Sequence, residues 1–296
     1  MGIMRSSINI NTKIVGVIGH PIKHTLSPLM HNHAFNELGL DYVYLPFDIS
    51  STGLHDSLKG MVALGIRGFN VTLPHKERIM EYMDELSDSA KIVGAVNTVV
   101  NDNGKLIGYN TDVTGIIKTL DEFKAEIKGA TVSVLGAGGA ARSAIYTLIN
   151  HFNVKKINII NRTVEKAESL KDYFSSKMLF TKIKTYELFP PDVTEVLAKS
   201  KLIINTSSVG MSPDEDDTPT SIPESFNKKQ IVFDIIYNPE YTKFLALAKE
   251  QGALTINGLK MFVEQGARSF DLWTNEAMPT DQILELLSKK EKMENN

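Results

Sequence analysis

Residues 131–142 read TVSVLGAGGAAR, and no other stretch constrains the fold as tightly. A β-branched run ends at Gly136, and small residues recur at Gly138 and Ala141. This is the G-x-G-x-x-G/A spacing of a strand that turns sharply into a helix. Gly136 permits the tight turn, Gly138 lets the backbone approach a pyrophosphate, and Ala141 keeps the helix close to the strand. The N–H groups across Gly136, Ala137, Gly138, Gly139 and Ala140, at the start of that helix, suit phosphate oxygens. A βα turn with no ligand is the plain alternative. The next strand, KINIIN (156–161), ends about 20 residues further on, where an NAD site usually carries an acidic residue for the ribose 2′-hydroxyl. Here the chain has Asn161-Arg162-Thr163. A carboxylate would repel a 2′-phosphate, whereas a guanidinium binds it with two charge-assisted hydrogen bonds. A surface cation at a helix start is the other reading of Arg162. Together the two features favour NADP over NAD, and with it hydride transfer.

The rest of the chain supplies an α/β context. KIVGVIG (13–19), YVYLPFDI (42–49) and GFNVTL (68–73) read as strands, with helices in SPLMHNHAFNELGL, GLHDSLKGMVALGI and HKERIMEYMDEL between and after them. Ser27 is the expected N-cap of the first helix, with Pro28 in its first turn and Gly39 near its end. This alternation predicts βαβ units and a parallel sheet. AVNTVVNDNGKLIGYNTD (95–112) reads as a hairpin turning at Asn103-Gly104, and 113–127 as one amphipathic connecting helix. A second α/β series follows, with later strands at 201–208 and 230–237. The helix of NGLKMFVEQGARSFDLW (257–273) is expected to return to the first domain. The predicted domains are 1–112 plus 258–296 and 113–257, the second of them Rossmann-like and suited to NADP. The last residues, SKKEKMENN, read as a solvated tail.

Composition narrows the function classes. A net charge of −3 and a pI near 6.2 give no electrostatic reason to expect nucleic acid or a membrane surface as partner. No window reaches the roughly 18 apolar residues of a membrane helix, and the polar opening MGIMRSSININTK does not read as a signal peptide. With no cysteine, disulfides, thiolate metal sites and a cysteine nucleophile are excluded, and the cytoplasm is the default location. The acids within SPDEDDTPTSIPES (212–225) read as a solvated loop, with a hard-metal site as the minor alternative.

Two stretches remain for substrate chemistry. GHPIKHTLSPLMHNH (19–33) holds four of the seven histidines, which raises a metal site as one reading. The other takes Thr25 and Ser27, ahead of Pro28, as a grip for a polar small molecule. In NVTLPHK (70–76), Asn70 and Thr72 leave one face of a strand, and Pro74 delivers Lys76 just beyond its end. A lysine partly withdrawn from water can take a hydroxyl proton as hydride leaves. An exposed lysine at a helix start is the commoner meaning.

These segments, together with GAVNT (94–98), NTD (110–112), NTSSVGM (205–211), YNP (237–239) and NGLKMFVEQGA (257–267), make the chain resemble the shikimate dehydrogenases from about Val15 to Trp273. The resemblance implies an α/β substrate domain beside a Rossmann-like domain, with a cleft between them. It implies NADPH-dependent, reversible reduction of 3-dehydroshikimate to shikimate on the way to chorismate and the aromatic amino acids. It makes Lys76 and Asp112 the catalytic pair, Lys76 handling the proton and Asp112 orienting the same hydroxyl. Asn97 and Gln265 would bind ring hydroxyls. Thr25, Ser27 and Tyr237 would surround the carboxylate, with Asn70 and Thr72 beside them, and Gly258 would join the cofactor site. No metal is required, and monomer and homodimer are both compatible with the sequence.

The chain departs from the family pattern at Thr25, where serine is usual, at Lys260, often glycine, and at His20, often asparagine. The Thr25 methyl bears on shikimate against quinate, which differ at the carboxylate-bearing carbon. A dual quinate/shikimate dehydrogenase using NAD is the nearest rival. A non-catalytic NADP-binding regulator is a second, although it should lack the intact Lys76/Asp112 pair. Glutamyl-tRNA reductase, which shares the glycine turn, is excluded because its chemistry needs a cysteine.

Overall fold

A computed structural model describes residues 8–23 and 25–294, so His24 lies outside the described residues. The structure divides into two compact units. One contains the residues up to Thr111 and those from Val263 onward, and the other runs from Asp112 to Phe262.

The first unit is built on β1 (Lys13–Gly19), α1 (Ser27–Glu37), β2 (Tyr42–Asp48), α2 (Leu54–Ala63), β3 (Gly68–Val71), β4 (Glu85–Leu86), α3 (Asp88–Val93), β5 (Thr98–Asp102) and β6 (Lys105–Tyr109). Its six-stranded sheet has the order β2-β1-β3-β5-β6-β4. The sheet is mixed rather than parallel, because β5 runs antiparallel to both β3 and β6. The β5–β6 hairpin turns at Asn103-Gly104, both in the left-handed region at φ 53 and 96, as a two-residue turn with this sequence requires.

Two local expectations fail here. The helix expected over 75–86 is a 3-10 turn at Arg78–Tyr82 followed by β4. Tertiary bonds capture the segment: the Asp84 carboxylate accepts from the Leu106 N–H at 2.7 Å, and the Ser87 N–H donates to the Gly108 carbonyl at 2.9 Å. Ser27 is the first residue of α1 rather than its cap, a position held by Leu26. The last residues, read as a solvated tail, continue the final helix as far as Glu294.

In the second unit, α4 (Asp112–Leu120), α5 (Lys124–Ile127), β7 (Thr131–Leu135), α6 (Gly139–Asn150), β8 (Lys156–Asn161), α7 (Val164–Met178), β9 (Ile183–Glu187), α8 (Pro190–Ala198), β10 (Leu202–Asn205), β11 (Ile231–Asp234), α9 (Lys243–Glu250) and β12 (Leu254–Ile256) follow in order. The connecting helix expected over 113–127 is broken at Asp121–Phe123 into α4 and α5. All six strands are parallel, in the order β12-β11-β10-β7-β8-β9. Their faces are covered by apolar side chains, among them Val132, Val134, Ile157, Ile159 and Phe233, all fully buried. Near-continuous Val/Ile runs are what strands buried on both faces need.

Two further helices complete the chain, α10 (Leu259–Thr274) and α11 (Thr280–Glu294). The C-terminal part of α10 belongs to the first unit. There a Cβ on Gly266 would come within 2.2 Å of the Met30 methyl, so a larger residue would make the Met30 side chain move where α10 packs on α1. Trp273 fills the adjoining core, its indole N–H donating to the Val99 carbonyl at 3.0 Å.

Candidate active site

Because β7, β8, β10 and β11 are parallel, Leu135, Asn161, Asn205 and Asp234 end at one edge of the sheet. Strand order reverses between β7 and β10, and open α/β sheets bind ligands at such a switch point. Gly136 follows β7 there at φ 110, and a Cβ on it would sit 2.7 Å from the Thr206 hydroxyl. That hydroxyl donates to the Leu135 carbonyl at 2.7 Å and fixes the floor of the turn. Gly138 caps α6 and is exposed, with nothing within 4 Å of a Cβ position, so a phosphate can approach the backbone. Ala141 is fully buried against the sheet.

At the end of β8, the Asn161 amide donates to the Thr163 carbonyl at 2.8 Å and folds the turn that leaves Arg162 exposed. On the far side, Gly258 is buried. Its N–H donates to the Ile236 carbonyl at 2.9 Å, and a Cβ would fall 2.1 Å from the Ile235 carbonyl. Tyr237 stacks on Phe262 with ring centroids 4.1 Å apart. Open backbone donors at a helix start and an exposed guanidinium one strand away fit an NADP pyrophosphate and 2′-phosphate.

The sequence reading missed Asp234, which is fully buried at the end of β11. Its carboxylate accepts from the Thr242 hydroxyl at 2.7 Å, the Asn205 amide at 3.0 Å and the Ile236 N–H at 3.1 Å. Burial pushes the carboxyl up to about 6, against the pull of those three bonds. An acid ending an otherwise apolar strand was the available signal.

In the first unit, Thr25, Asn70, Thr72, Lys76 and Asn97 come from strand β3 and the loops around the sheet, Ser27 from the start of α1 and Gln265 from α10. The Thr25 hydroxyl donates to Ser27 Oγ at 3.2 Å. Thr72 follows β3, its N–H donating to the Ile18 carbonyl at 2.9 Å, and a Cβ on Gly19 would strike its methyl at 2.3 Å. Lys76 is half-buried, and its carbonyl accepts from the Val96 N–H at 2.8 Å.

Asn97 is buried. Its carbonyl oxygen accepts from the Thr111 N–H at 2.7 Å, and its amide donates to Thr111 Oγ1 at 2.9 Å and to Gln265 Oε1 at 3.4 Å. Asn70 lies behind this group. Its oxygen accepts from the Tyr44 hydroxyl at 2.8 Å, and its amide reaches Ser269 at 2.9 Å, Thr98 at 3.1 Å and the Asn97 carbonyl at 3.2 Å. Asp112 is buried in the second unit as the first residue of α4.

The histidines of the N-terminal cluster disperse. His20 pairs with Asp48 at 2.7 Å on the surface, and His33 faces Glu37 at 3.9 Å. His31 is fully buried, stacked on Tyr44 at 4.4 Å between centroids, and neither ring nitrogen has a hydrogen-bond partner. Burial lowers its pKa to about 3. Among the described residues, no three or more His, Asp or Glu side chains form a group that could hold a metal.

A parallel sheet with a dinucleotide turn at its switch point, joined to a second α/β unit rich in convergent polar groups, defines a nicotinamide-dependent oxidoreductase. Comparison with known proteins agrees. Residues 17–99 match the shikimate dehydrogenase substrate-binding domain, 118–237 the shikimate/quinate 5-dehydrogenase family, and 258–287 the shikimate 5'-dehydrogenase C-terminal domain. The NADP(+) shikimate dehydrogenase of Caldanaerobacter subterraneus subsp. tengcongensis is 44% identical over 94% of this chain and 97% of its own. A solved shikimate dehydrogenase in complex with NADP+ superposes with a TM-score of 0.90 at 41% identity, covering 98% of this chain and 99% of that one. The Listeria monocytogenes shikimate 5-dehydrogenase, in complex with shikimate and NAD, gives 0.83 at 40% identity over 95% and 98%. The chain belongs to the shikimate dehydrogenase family.

Proposed function

We propose that this protein is an NADP-dependent shikimate dehydrogenase, catalysing the reversible reduction of 3-dehydroshikimate to shikimate in the route to chorismate. The observation that carries the reading is the edge of the parallel sheet. There an open glycine turn and an exposed Arg162, with no carboxylate at the end of β8, suit NADP and disfavour NAD. Gly136 to Ala140 would cradle the pyrophosphate, Asn161 to Thr163 the 2′-phosphate, and Gly258 would border the cofactor from the other side. When bound, NADP supplies the hydride exchange.

Lys76 takes the hydroxyl proton, and Asp112 orients and polarises that hydroxyl. Asn97 and Gln265 bind ring hydroxyls, their amides already aligned on each other. Thr25, Ser27, Thr72 and Tyr237 serve the carboxylate, and Asn70 supports them by holding Asn97 and Thr98. Substrate chemistry is assigned to 1–112 plus 258–296 and cofactor binding to 113–257. A cytoplasmic location rests on the cysteine-free composition. A homodimer is the assembly to test, by sedimentation.

The function is tested by incubating purified protein with shikimate and NADP, following NADPH absorbance and identifying the product by proton NMR. Formation of 3-dehydroshikimate in step with NADPH supports the reading. Absence of NADPH at every shikimate concentration would sink it.

A further inference from the structure

Asp234 sits where three segments of the cofactor edge meet, and each of its bonds goes to a different one. The Asn205 amide belongs to the end of β10. The carbonyl oxygen of that same Asn205 accepts from the Ser207 N–H at 3.0 Å and hydroxyl at 2.7 Å, which folds the segment where Thr206 abuts the Gly136 turn. The Ile236 N–H belongs to the strand extension whose carbonyl receives the Gly258 N–H, one residue before α10 begins. The Thr242 hydroxyl caps α9 by accepting from the Leu245 N–H at 3.4 Å, and Gly210 of the β10 loop lies beside it, a Cβ there being 3.9 Å from the Thr242 Cβ. One buried carboxylate therefore ties the glycine turn, the Ile235–Tyr237 extension and the α9 cap to a common point.

We propose that Asp234 is a positioning residue for NADP: its three hydrogen bonds set the relative placement of the Thr206–Ser207 loop and the Ile236–Gly258 contact, the two walls of the cofactor edge. The inference rests on the NADP reading above and extends it to a residue that would not touch the cofactor. An acid is an unusual choice for a fully buried strand end, since burial works against its charge. Acceptor geometry explains the choice. Asn205 and Ile236 share Oδ1, Thr242 uses Oδ2, and every partner is a donor. Asparagine can satisfy the same set only if the Thr242 hydroxyl turns round to accept, which a hydroxyl can do.

The test compares Asp234→Ala, Asp234→Asn and Thr242→Val with the intact chain. It uses direct NADP titration by calorimetry without substrate, steady-state KM values for NADP and shikimate, and thermal unfolding. Asp234→Ala should weaken NADP binding by about tenfold or more, since small misplacements of a binding wall are costly, while the shikimate KM, reached only through Tyr237, rises by clearly less than the NADP KM. Asp234→Asn should restore NADP affinity to within about threefold of the intact protein. Thr242→Val, which cuts one tether and leaves the carboxylate in place, should raise the NADP Kd about threefold and provides a reading if Asp234→Ala does not fold.

Unchanged NADP affinity in folded Asp234→Ala, or in Thr242→Val, overturns the proposal and leaves a purely structural role. So does an equal rise of both KM values. A chain that binds NADP but does not oxidise shikimate would defeat the proposed activity while leaving this comparison intact.

Discussion

His31→Phe should change how stability depends on pH, and the size of the change follows from the burial of the imidazole. The ring is fully buried among Tyr44, Phe35, Phe270 and Trp273, with neither nitrogen hydrogen-bonded. The folded protein holds the imidazole neutral down to about pH 3, whereas the unfolded chain protonates it near the ordinary value of 6.5. Between those values the unfolded state binds the extra proton, so the stability associated with a neutral His31 is complete above 6.5 and is lost as pH falls towards 3. At about 1.4 kcal/mol per pH unit, moving from pH ~7.5 to pH ~5 costs about 2 kcal/mol.

Asp234 works with the opposite sign. Its folded value near 6 lies above the ordinary 3.8, so it adds about 1 kcal/mol over the same descent. The intact protein alone would thus show a blurred slope, and the difference between it and His31→Phe isolates the histidine. Urea unfolding followed by the lone Trp273, whose ring centroid is 5.4 Å from that of His31, reports directly on this core. The variant should gain about 2 kcal/mol relative to the parent on going from pH ~7.5 to pH ~5. Parallel stability curves for the two proteins would refute a neutral, unpartnered His31.

The remaining predictions concern the site. Lys76→Ala should lower kcat by about 10²–10⁴-fold with NADP affinity nearly unchanged, as loss of a proton-transfer group does; near-normal turnover removes Lys76 from the chemistry. Arg162→Ala should weaken NADP by about 1.5–3 kcal/mol and NAD far less, read from the two Kd values, and equal weakening would refute the 2′-phosphate role. Thr25→Ser deletes one methyl group beside the proposed carboxylate grip. It should narrow the preference for shikimate over quinate by up to about tenfold in kcat/KM, and an unchanged ratio would remove Thr25 from specificity.

Much of the fold was legible where local chemistry and tertiary context agree. The bounds of β1 and the hairpin at Asn103-Gly104 follow from β-branched runs and a turn dipeptide that accepts positive φ. The Gly136 turn was legible because its spacing has one mechanical purpose, and the structure adds a reason of its own in the contact with Thr206. Residues 75–86 misled because their helical spacing competes with bonds from distant partners, Leu106 and Gly108, which no local pattern reveals. The mixed sheet was hidden for the same reason: the hairpin was readable, but its antiparallel pairing with β3 was not. His31 drew attention as a metal ligand and proves to be core, since periodicity cannot distinguish a ligand from a ring stacked on Tyr44. Asp234 escaped notice because its partners, Asn205 and Thr242, are donors supplied by separate segments.

The most direct test of the central claim is a steady-state comparison of kcat/KM for shikimate and quinate, each with NADP and with NAD. The account predicts that shikimate with NADP exceeds the other three combinations, with Arg162 and the absence of an acid at the end of β8 setting the cofactor preference. A quinate kcat/KM above that for shikimate, or a preference for NAD, would contradict it.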